Sequence, residues 1–407
     1  MANFQDKANR LKIAIVTNRF YPEVGGAETN IWFQAKELAK KHDVTIYCPK
    51  RIDRPWSEEF DGFRLVRMYD VLHPFCKYPN IATKTLCPSM FFRILFSGFD
   101  VIMFFPALNY NNKLAYFASR MRGIPIIGCF FDFIDYAAVI KEKGSVPDDI
   151  LGQTLVKDTD ARILRGLDHI YAIADKEIAF LQKFNGHVEY SPVPVLMDEY
   201  LKESPSCRSK YGISDNEFVF LCLGRVSQIK GQDIAVKAFC STFRDRKDAR
   251  LVIVGRHDYE PGFTDAMKKE IASAGMDGRV IFTGMVERPE VLGWLRHSDI
   301  HVIPVRFMNS GAVVVETWAS GTPVIQSDVV DPNLVADGLN GFLFKKGSVE
   351  NLAEKMDEAY ARKGELKRMA GEGAKLVREK YTYEYLIGLY EKAFGRLVKN
   401  AHKEERP

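Results

Sequence analysis

The pattern that most restricts this chain is an alternation, kept up along almost its whole length, of short apolar runs with stretches of helical period. It starts twice in the same way. LKIAIVTN (11–18) leads through RFYPEVGGAETN into a stretch where Ile31, Ala35 and Leu38 share a face while Lys36, Glu37 and Lys40 lie mostly off it. EFVFLCLGR (217–225) leads through VSQIKG into the helical QDIAVKAF. HDVTIYCPK, FRLVRMY, DVIMFFPAL, IPIIGCFF and DHIYAIA continue the first half; ARLVIVGR, RVIFTGMV, DIHVIPVR, TPVIQSD and GFLF continue the second. Strands alternating with helices signal an α/β class with parallel sheets, here two doubly wound, Rossmann-like domains.

Between the halves, the prolines of EYSPVPVLMDEY (189–200) disfavour regular structure and suit a hinge. The division therefore falls near residue 195, with domains over 1–194 and 195–383. A last helical pattern at about 384–400 carries Leu386, Leu389, Phe394 and Leu397, and periodicity does not say which domain it touches. Doubly wound domains bind ligands beyond the carboxyl ends of their strands, so the expected site is a cleft between the two.

A chain of 407 residues suits two domains, and 46% hydrophobic with 27% charged residues is a globular balance. The net charge of +4 gives no charge-driven reason for a nucleic-acid partner. Seven cysteines without metal-type spacing fit reduced thiols in a cytoplasmic compartment, with Cys207, Cys222 and Cys240 as packing residues. The opening MANFQDKANR lacks the apolar core of a signal peptide. The most apolar stretch, 85–110, is interrupted by Pro88, Arg93, Gly98 and Asp100 and reads as a helix followed by a buried strand. A core-facing helix fits it better than one whose Phe91, Phe92, Leu95 and Phe96 dip into a membrane interface beside Arg93 and Lys84. Peripheral contact of the first domain with the inner membrane face stays open.

Three loops hold residue types that chemistry needs. In LGRVSQIKGQD, Arg225 directly follows a strand and Lys230 precedes Gly231 and a helix. Two cations beside a helix N-terminus make a diphosphate clamp, and would stabilise charge building on a leaving diphosphate. Exposed, solvated cations are an equally good reading of the spacing. In FYPEVGGAE, Gly25 and Gly26 let backbone amides approach an anion. This is not the dinucleotide fingerprint, and a tight turn with Glu28 in the first helical turn explains it nearly as well. In SGAVVVETWASGTP, Glu316 lies in the first turns of a helix starting near Gly311. A carboxylate there can accept both ribose hydroxyls while the amides of Ser310 and Gly311 face a phosphate; the alternative is a carboxylate serving the helix dipole.

Taken together from Gly25 to Pro323, with LVIVG and VIFTG between them, these motifs resemble those of the retaining glycosyltransferases of family 4. That family has the GT-B fold, two Rossmann-like domains facing each other across a cleft, and TYEYLIGLYEKAF resembles its closing helix. The resemblance implies transfer of a sugar from a nucleoside-diphosphate sugar to a glycan or lipid-linked acceptor, in cell-surface polysaccharide or glycolipid synthesis, without a further cofactor. It implies that Arg225 and Lys230 grip the donor diphosphate and assist its departure, and that Glu316 binds the ribose. Ser310, Gly311 and Ala312 present amides to the diphosphate and sugar, Gly25 and Gly26 close over the phosphates, and Gly284 to Val286 lie near the base.

Two positions depart from the family pattern. Met308 stands where a glutamate contacts the donor sugar, and Phe131 where a histidine lies near the reacting centre, leaving Asp132 to line the cleft. A thioether in place of a carboxylate favours a less hydroxylated donor, such as a deoxy or acetamido sugar, unless Asn309 or Arg306 compensates. No metal is implied, because Arg225 and Lys230 can offset the diphosphate charge; the histidines show no ligand spacing, and His257 and His297 read as surface residues. A catalytically silent relative that binds nucleotide sugar or glycan is the competing reading. A sugar-nucleotide epimerase and a nicotinamide dehydrogenase fit less well, the first for want of an acid/base constellation and the second for want of the fingerprint.

Overall fold

The apolar runs become strands, most of them covered on both faces. In the first unit these are β1 (Lys12–Thr17), β2 (Asp43–Pro49), β3 (Ser57–Phe60), β4 (Phe63–Met68), β5 (Val101–Phe105), β6 (Ile126–Phe130), β7 (His169–Ala172) and β8 (Val188–Tyr190). Helices α1 (Gly26–Ala39), α2 (Ser89–Leu95), α3 (Tyr110–Arg122), α4 (Asp158–Gly166) and α5 (Asp175–Leu181) lie among them, and α13 (Tyr383–Glu404) joins them from the end of the chain. The computed structural model describes residues 10–22, 25–50, 53–72, 85–105, 108–130, 158–258, 260–306, 311–329 and 334–404. It divides into residues 1–192 with 383–407, and residues 193–382.

The first sheet runs β3-β4-β2-β1-β5-β6-β7-β8 and is parallel except for β3, which is antiparallel to β4. Along β1, Ile13 and Ile15 pack with Ile31, Leu38, Leu386 and Tyr390, while Ala14 and Val16 pack with Met90, Ile94 and Ala115. Consecutive residues thus serve opposite faces, which is why the strands read as unbroken apolar runs. The last helix is bound to α1 by two buried polar contacts and to the turn after it by an exposed ion pair. Tyr383 donates to Asn30 (3.2 Å), Tyr390 to Gln34 (2.9 Å), and Lys41 meets Glu391 at 2.9 Å.

The second unit contains α6 (Met197–Leu201), β9 (Phe218–Leu223), α7 (Gln232–Thr242), β10 (Ala249–Val254), α8 (Pro261–Ser273), β11 (Val280–Gly284) and α9 (Arg288–His297). It continues with β12 (Ile300–Ile303), α10 (Ala312–Ala319), β13 (Val324–Ser327), β14 (Gly341–Phe344), α11 (Val349–Ala361) and α12 (Leu366–Lys380). Its sheet is all parallel in the order β11-β10-β9-β12-β13-β14. Strand order reverses between β9 and β12, so their carboxyl ends flank a crevice of the kind in which doubly wound sheets hold ligands.

The α/β class and the two doubly wound sheets are as the sequence predicts. Two details differ. The proline segment 189–200 is not simply irregular: it contains the end of β8 and most of α6. The short edge strand β3 has only a four-residue alternation and carried no separate signal in the sequence. The six described cysteines, Cys207, Cys222 and Cys240 among them, are buried.

Candidate functional site

At the carboxyl edge of the second sheet, β9, β10 and β11 each turn on a glycine with positive φ: Gly224 (134°), Gly255 (141°) and Gly284 (76°). Gly224 N–H donates to the Val254 carbonyl (2.9 Å) and Gly255 N–H to that of Gly284 (3.0 Å), which holds the three ends side by side. A Cβ on Gly255 would stand 2.1 Å from the Gly224 oxygen, so the row admits no side chain at its centre. Arg225 leaves this backbone edge exposed.

The loop after Arg225 is folded on itself. Ser227 accepts the N–H groups of Lys230 (3.0 Å) and Gly231 (3.2 Å). Buried Gln232 donates to the Arg225 carbonyl (2.9 Å) and accepts from Ser227 N–H (3.3 Å). Gly231 (φ 71°) presses against the end of β12, where a Cβ would sit 1.9 Å from the Pro304 oxygen. Lys230, half-buried, lines a cleft here with Leu223, Gln232, Pro304 and Val313. Arg306 completes the construction by forking the Asp233 carboxylate (2.8 and 2.6 Å) and donating to the Gln228 carbonyl (2.6 Å). Arg306 is therefore committed to this loop, which removes it as the group that makes up for Met308.

Two helices begin at this crevice, α7 after β9 and α10 after β12. Their N-cap residues, Gly231 and Gly311, both have φ 71°, and neither helix has a side-chain cap. Their first amides thus carry no side-chain cap at the carboxyl edge, and an uncapped helix N-terminus is the kind of group that can bind phosphate. A buried histidine ties the two strand–helix joints together. Leu223 N–H donates to His301 Nε2 (3.2 Å), which leaves the proton on Nδ1 to donate to Thr317 Oγ1 (2.8 Å), and Thr317 donates to the Val313 carbonyl (2.6 Å). Burial lowers the pKa of His301 to about 3, so the ring is neutral and this tautomer stays fixed. The helix is anchored by buried Trp318, whose Nε1 donates to the Asn340 carbonyl (3.0 Å). It needs Gly373 on α12, where a Cβ would approach within 2.3 Å of its ring.

Glu316 lies one turn into α10, half-buried, and burial pushes its carboxyl above the usual range, against the pull of Arg288 and a hydrogen bond from Tyr200. Tyr200 is itself placed by Arg288, whose Nη2 donates to its hydroxyl (2.7 Å) while Nε binds Glu199 (2.8 Å). The chain Arg288–Tyr200–Glu316 aims the carboxylate and leaves it further lone pairs for a ligand's hydroxyls. Tyr200 and Glu199 sit on α6, inside the segment read as a hinge, and no local signal marked them. Gly284 stands beside His257, where a Cβ would lie 3.5 Å from the ring.

Arg225, Lys230, Gly284, Gly311, Ala312 and Glu316 thus all belong to one edge of the second unit. Gly25 and Gly26 belong to the first unit, at the start of α1. Met308, Asn309, Ser310, Phe131 and Asp132 lie outside the described residues. His257 and His297, expected at the surface, are half-buried; His297 Nε2 pairs with the Ser204 carbonyl (2.7 Å), and His257 packs on Phe282. An Asp-x-Asp triplet, Asp158-Thr159-Asp160, does occur, but Asp160 is buried in an ion pair with Lys113 (2.5 Å). Among the described residues no three His, Cys, Asp or Glu side chains converge as metal ligands, and no helix is long and apolar enough to cross a membrane.

Residues 217–362, which include all of these edge residues, match the family model described as Glycosyl transferases group 1. The chain is similar to the D-inositol 3-phosphate glycosyltransferase of Arthrobacter sp. (strain FB24), 27% identical over 62% of this chain and 61% of that protein. The match thus spans less than two thirds of that relative. Alpha-monoglucosyldiacylglycerol synthase of Streptococcus pneumoniae is 24% identical over 82% of this chain and 75% of its own. The fold is shared with a solved glycosyltransferase of Rickettsia africae (TM-score 0.74, 17% identity, 96% of this chain and 100% of that one). It is shared also with the Anabaena protein HepE, solved with UDP and glucose (TM-score 0.68, 16% identity, 95% and 100%).

Proposed function

We propose that this chain, whose residues 217–362 match the model of the group 1 glycosyltransferases, moves a sugar from a nucleoside-diphosphate sugar to a glycan or lipid-linked acceptor, with retention of configuration, in polysaccharide or glycolipid synthesis. The observation that carries this reading is the meeting of two glycine-started helix N-termini with the Arg225–Lys230 loop at the β9/β12 switch point. The names of two relatives, a D-inositol 3-phosphate glycosyltransferase and an alpha-monoglucosyldiacylglycerol synthase, and the UDP in HepE support it.

In this reading the donor diphosphate lies over the first amides of α7 and α10, with Gly311 and Ala312 nearest. Arg225 and Lys230 neutralise the charge that grows as the bond between the sugar C1 and the phosphate oxygen breaks, the task a divalent cation performs at other diphosphate sites. Glu316, aimed by Tyr200, accepts the ribose hydroxyls through its carboxyl oxygens. The acceptor oxygen bonds to C1 on the face the diphosphate leaves, and its proton passes to the departing phosphate oxygen, so no protein base is required. The family resemblance further assigns Gly25 and Gly26 to the phosphates, Gly284 to the base and Asp132 to the acceptor. Met308 disfavours a fully hydroxylated hexose, which makes deoxy and acetamido sugars the expected donors.

A panel of nucleotide sugars, followed by release of free nucleoside diphosphate, tests this. Slow donor hydrolysis, reduced about 100- to 1000-fold by Arg225→Ala or Lys230→Ala with donor-stabilised folding retained elsewhere, is expected. Tight donor binding with no turnover for any donor and acceptor would make the protein a silent nucleotide-sugar binder.

A further inference from the structure

We propose that the α2–α3 face of the first unit docks on an anionic lipid bilayer. On α2, Met90 and Ile94 are buried in the core, with Phe91 and Leu95 packed at its margin. Phe92 and Phe96 point the other way, 57% and 78% exposed, their rings stacked 6.5 Å apart. The neighbouring α3 repeats the arrangement: Ala115, Ala118 and Ser119 are buried, while Tyr110, Leu114, Phe117 and Met121 recur at one-turn spacings along a single stripe. Phe117 is 57% and Met121 67% exposed. Exposed apolar side chains are ordinarily scattered singly; a cluster of bulky ones on two adjacent helices marks a surface that meets something apolar.

Charge selects the occupant. Neither helix carries an acid, and Arg93 and Arg122 are exposed beside the aromatic tips. Lys113 and Arg120 are already paired with Asp160 (2.5 Å) and Asp168 (2.8 Å). The single acid between Thr85 and Gly123, Asp100, accepts Lys12 N–H (2.7 Å) at the end of β1. Aromatic and thioether tips rimmed by guanidinium groups match acyl chains beneath anionic headgroups. A second copy of the same face would bring Arg93 and Arg122 towards like charge.

Flotation of the full chain with vesicles tests the proposal, using phosphatidylcholine alone and phosphatidylcholine mixed with phosphatidylglycerol. The chain is expected to float with the anionic vesicles and to be released in part by high salt. Phe92→Ser with Phe96→Ser is expected to weaken vesicle binding at least about tenfold, and Arg93→Gln with Arg122→Gln about tenfold, both with an unchanged melting midpoint. Failure of the wild-type chain to float with anionic vesicles, or flotation of both variants like the wild type, overturns it. So does a concentration-dependent dimer in sedimentation velocity that the Phe92/Phe96 variant loses, which would assign the face to self-association. No nucleotide sugar enters the assay, so its outcome is independent of the donor-hydrolysis test.

Discussion

In the first unit the chain leaves β1, passes Gly25 in an extended conformation (φ −147°) and starts α1 with Glu28 turned back over the helix N-terminus. The Glu28 carboxylate lies 2.4 Å from where a Gly25 Cβ would be and 3.4 Å from Arg19. In the second unit the chain leaves β9, turns at Gly231 with positive φ and starts α7 with its first-turn acid, Asp233, forked by Arg306 (2.8 and 2.6 Å). The two openings look alike as strings. One helix N-terminus has its first-turn acid beside the N-cap glycine, while the first-turn acid of the other is taken up by Arg306, with Arg225 and Lys230 in the loop before it. The electrostatic preparation for a diphosphate is therefore a property of the second unit, and glycine content alone does not confer it.

The comparison breaks most visibly at the glycines themselves. Gly231→Ala combines a positive φ with a Cβ 1.9 Å from the Pro304 oxygen, so it is expected to lose about 1–3 kcal/mol of stability and most donor hydrolysis. Gly26→Ala meets nothing within 4 Å and is expected to stabilise α1 by up to about 1 kcal/mol. Thermal unfolding of the pair, alongside donor turnover, reads both.

The next effect concerns pH. Because the Glu316 pKa is raised, donor affinity should begin to fall, as pH is lowered, above the range of an ordinary carboxylate. Tyr200→Phe removes a bond that favours the ionised form, so the acid limb should move further up, while Glu316→Gln should abolish it. Donor KM measured across acid pH decides. The smallest effect is at α1, where Glu28→Gln should cost about 0.3–1 kcal/mol through the lost helix-dipole contact. It should lower donor KM slightly by removing negative charge near the glycine pair; a raised KM would make Glu28 a donor ligand.

Much of this architecture was legible in the chain. Strands buried on both faces leave long apolar runs, as in VFLCL and LVIV, and a glycine marks where β9, β10 and β11 end. Arg225, Lys230 and Glu316 were legible because each follows a strand end or opens a helix. Their supports were not. Tyr200 and Arg288 are nearly ninety residues apart and meet only through the packing of α6 and α9, and prolines concealed the short α6. His301 looks like one polar residue in a strand; its value comes from the early parting of β9 and β12, which frees Leu223 N–H for the ring. The aromatic run on α2 was ambiguous because it serves both purposes: Met90 and Ile94 face the core and Phe92 and Phe96 face outward.

One consequence of the last helix concerns the order of assembly. Leu386, Tyr390 and Phe394 of α13 cover the sheet face that Ile13, Ile15, Val101 and Met103 present, and they do so from the far end of the chain. During synthesis that face has only α1 over it until all of the second unit has been made, so the unit that begins first is finished last. A ribosome-bound fragment ending near residue 382 would expose this apolar face to chaperones, whereas residues 193–382 already contain both faces of their own core.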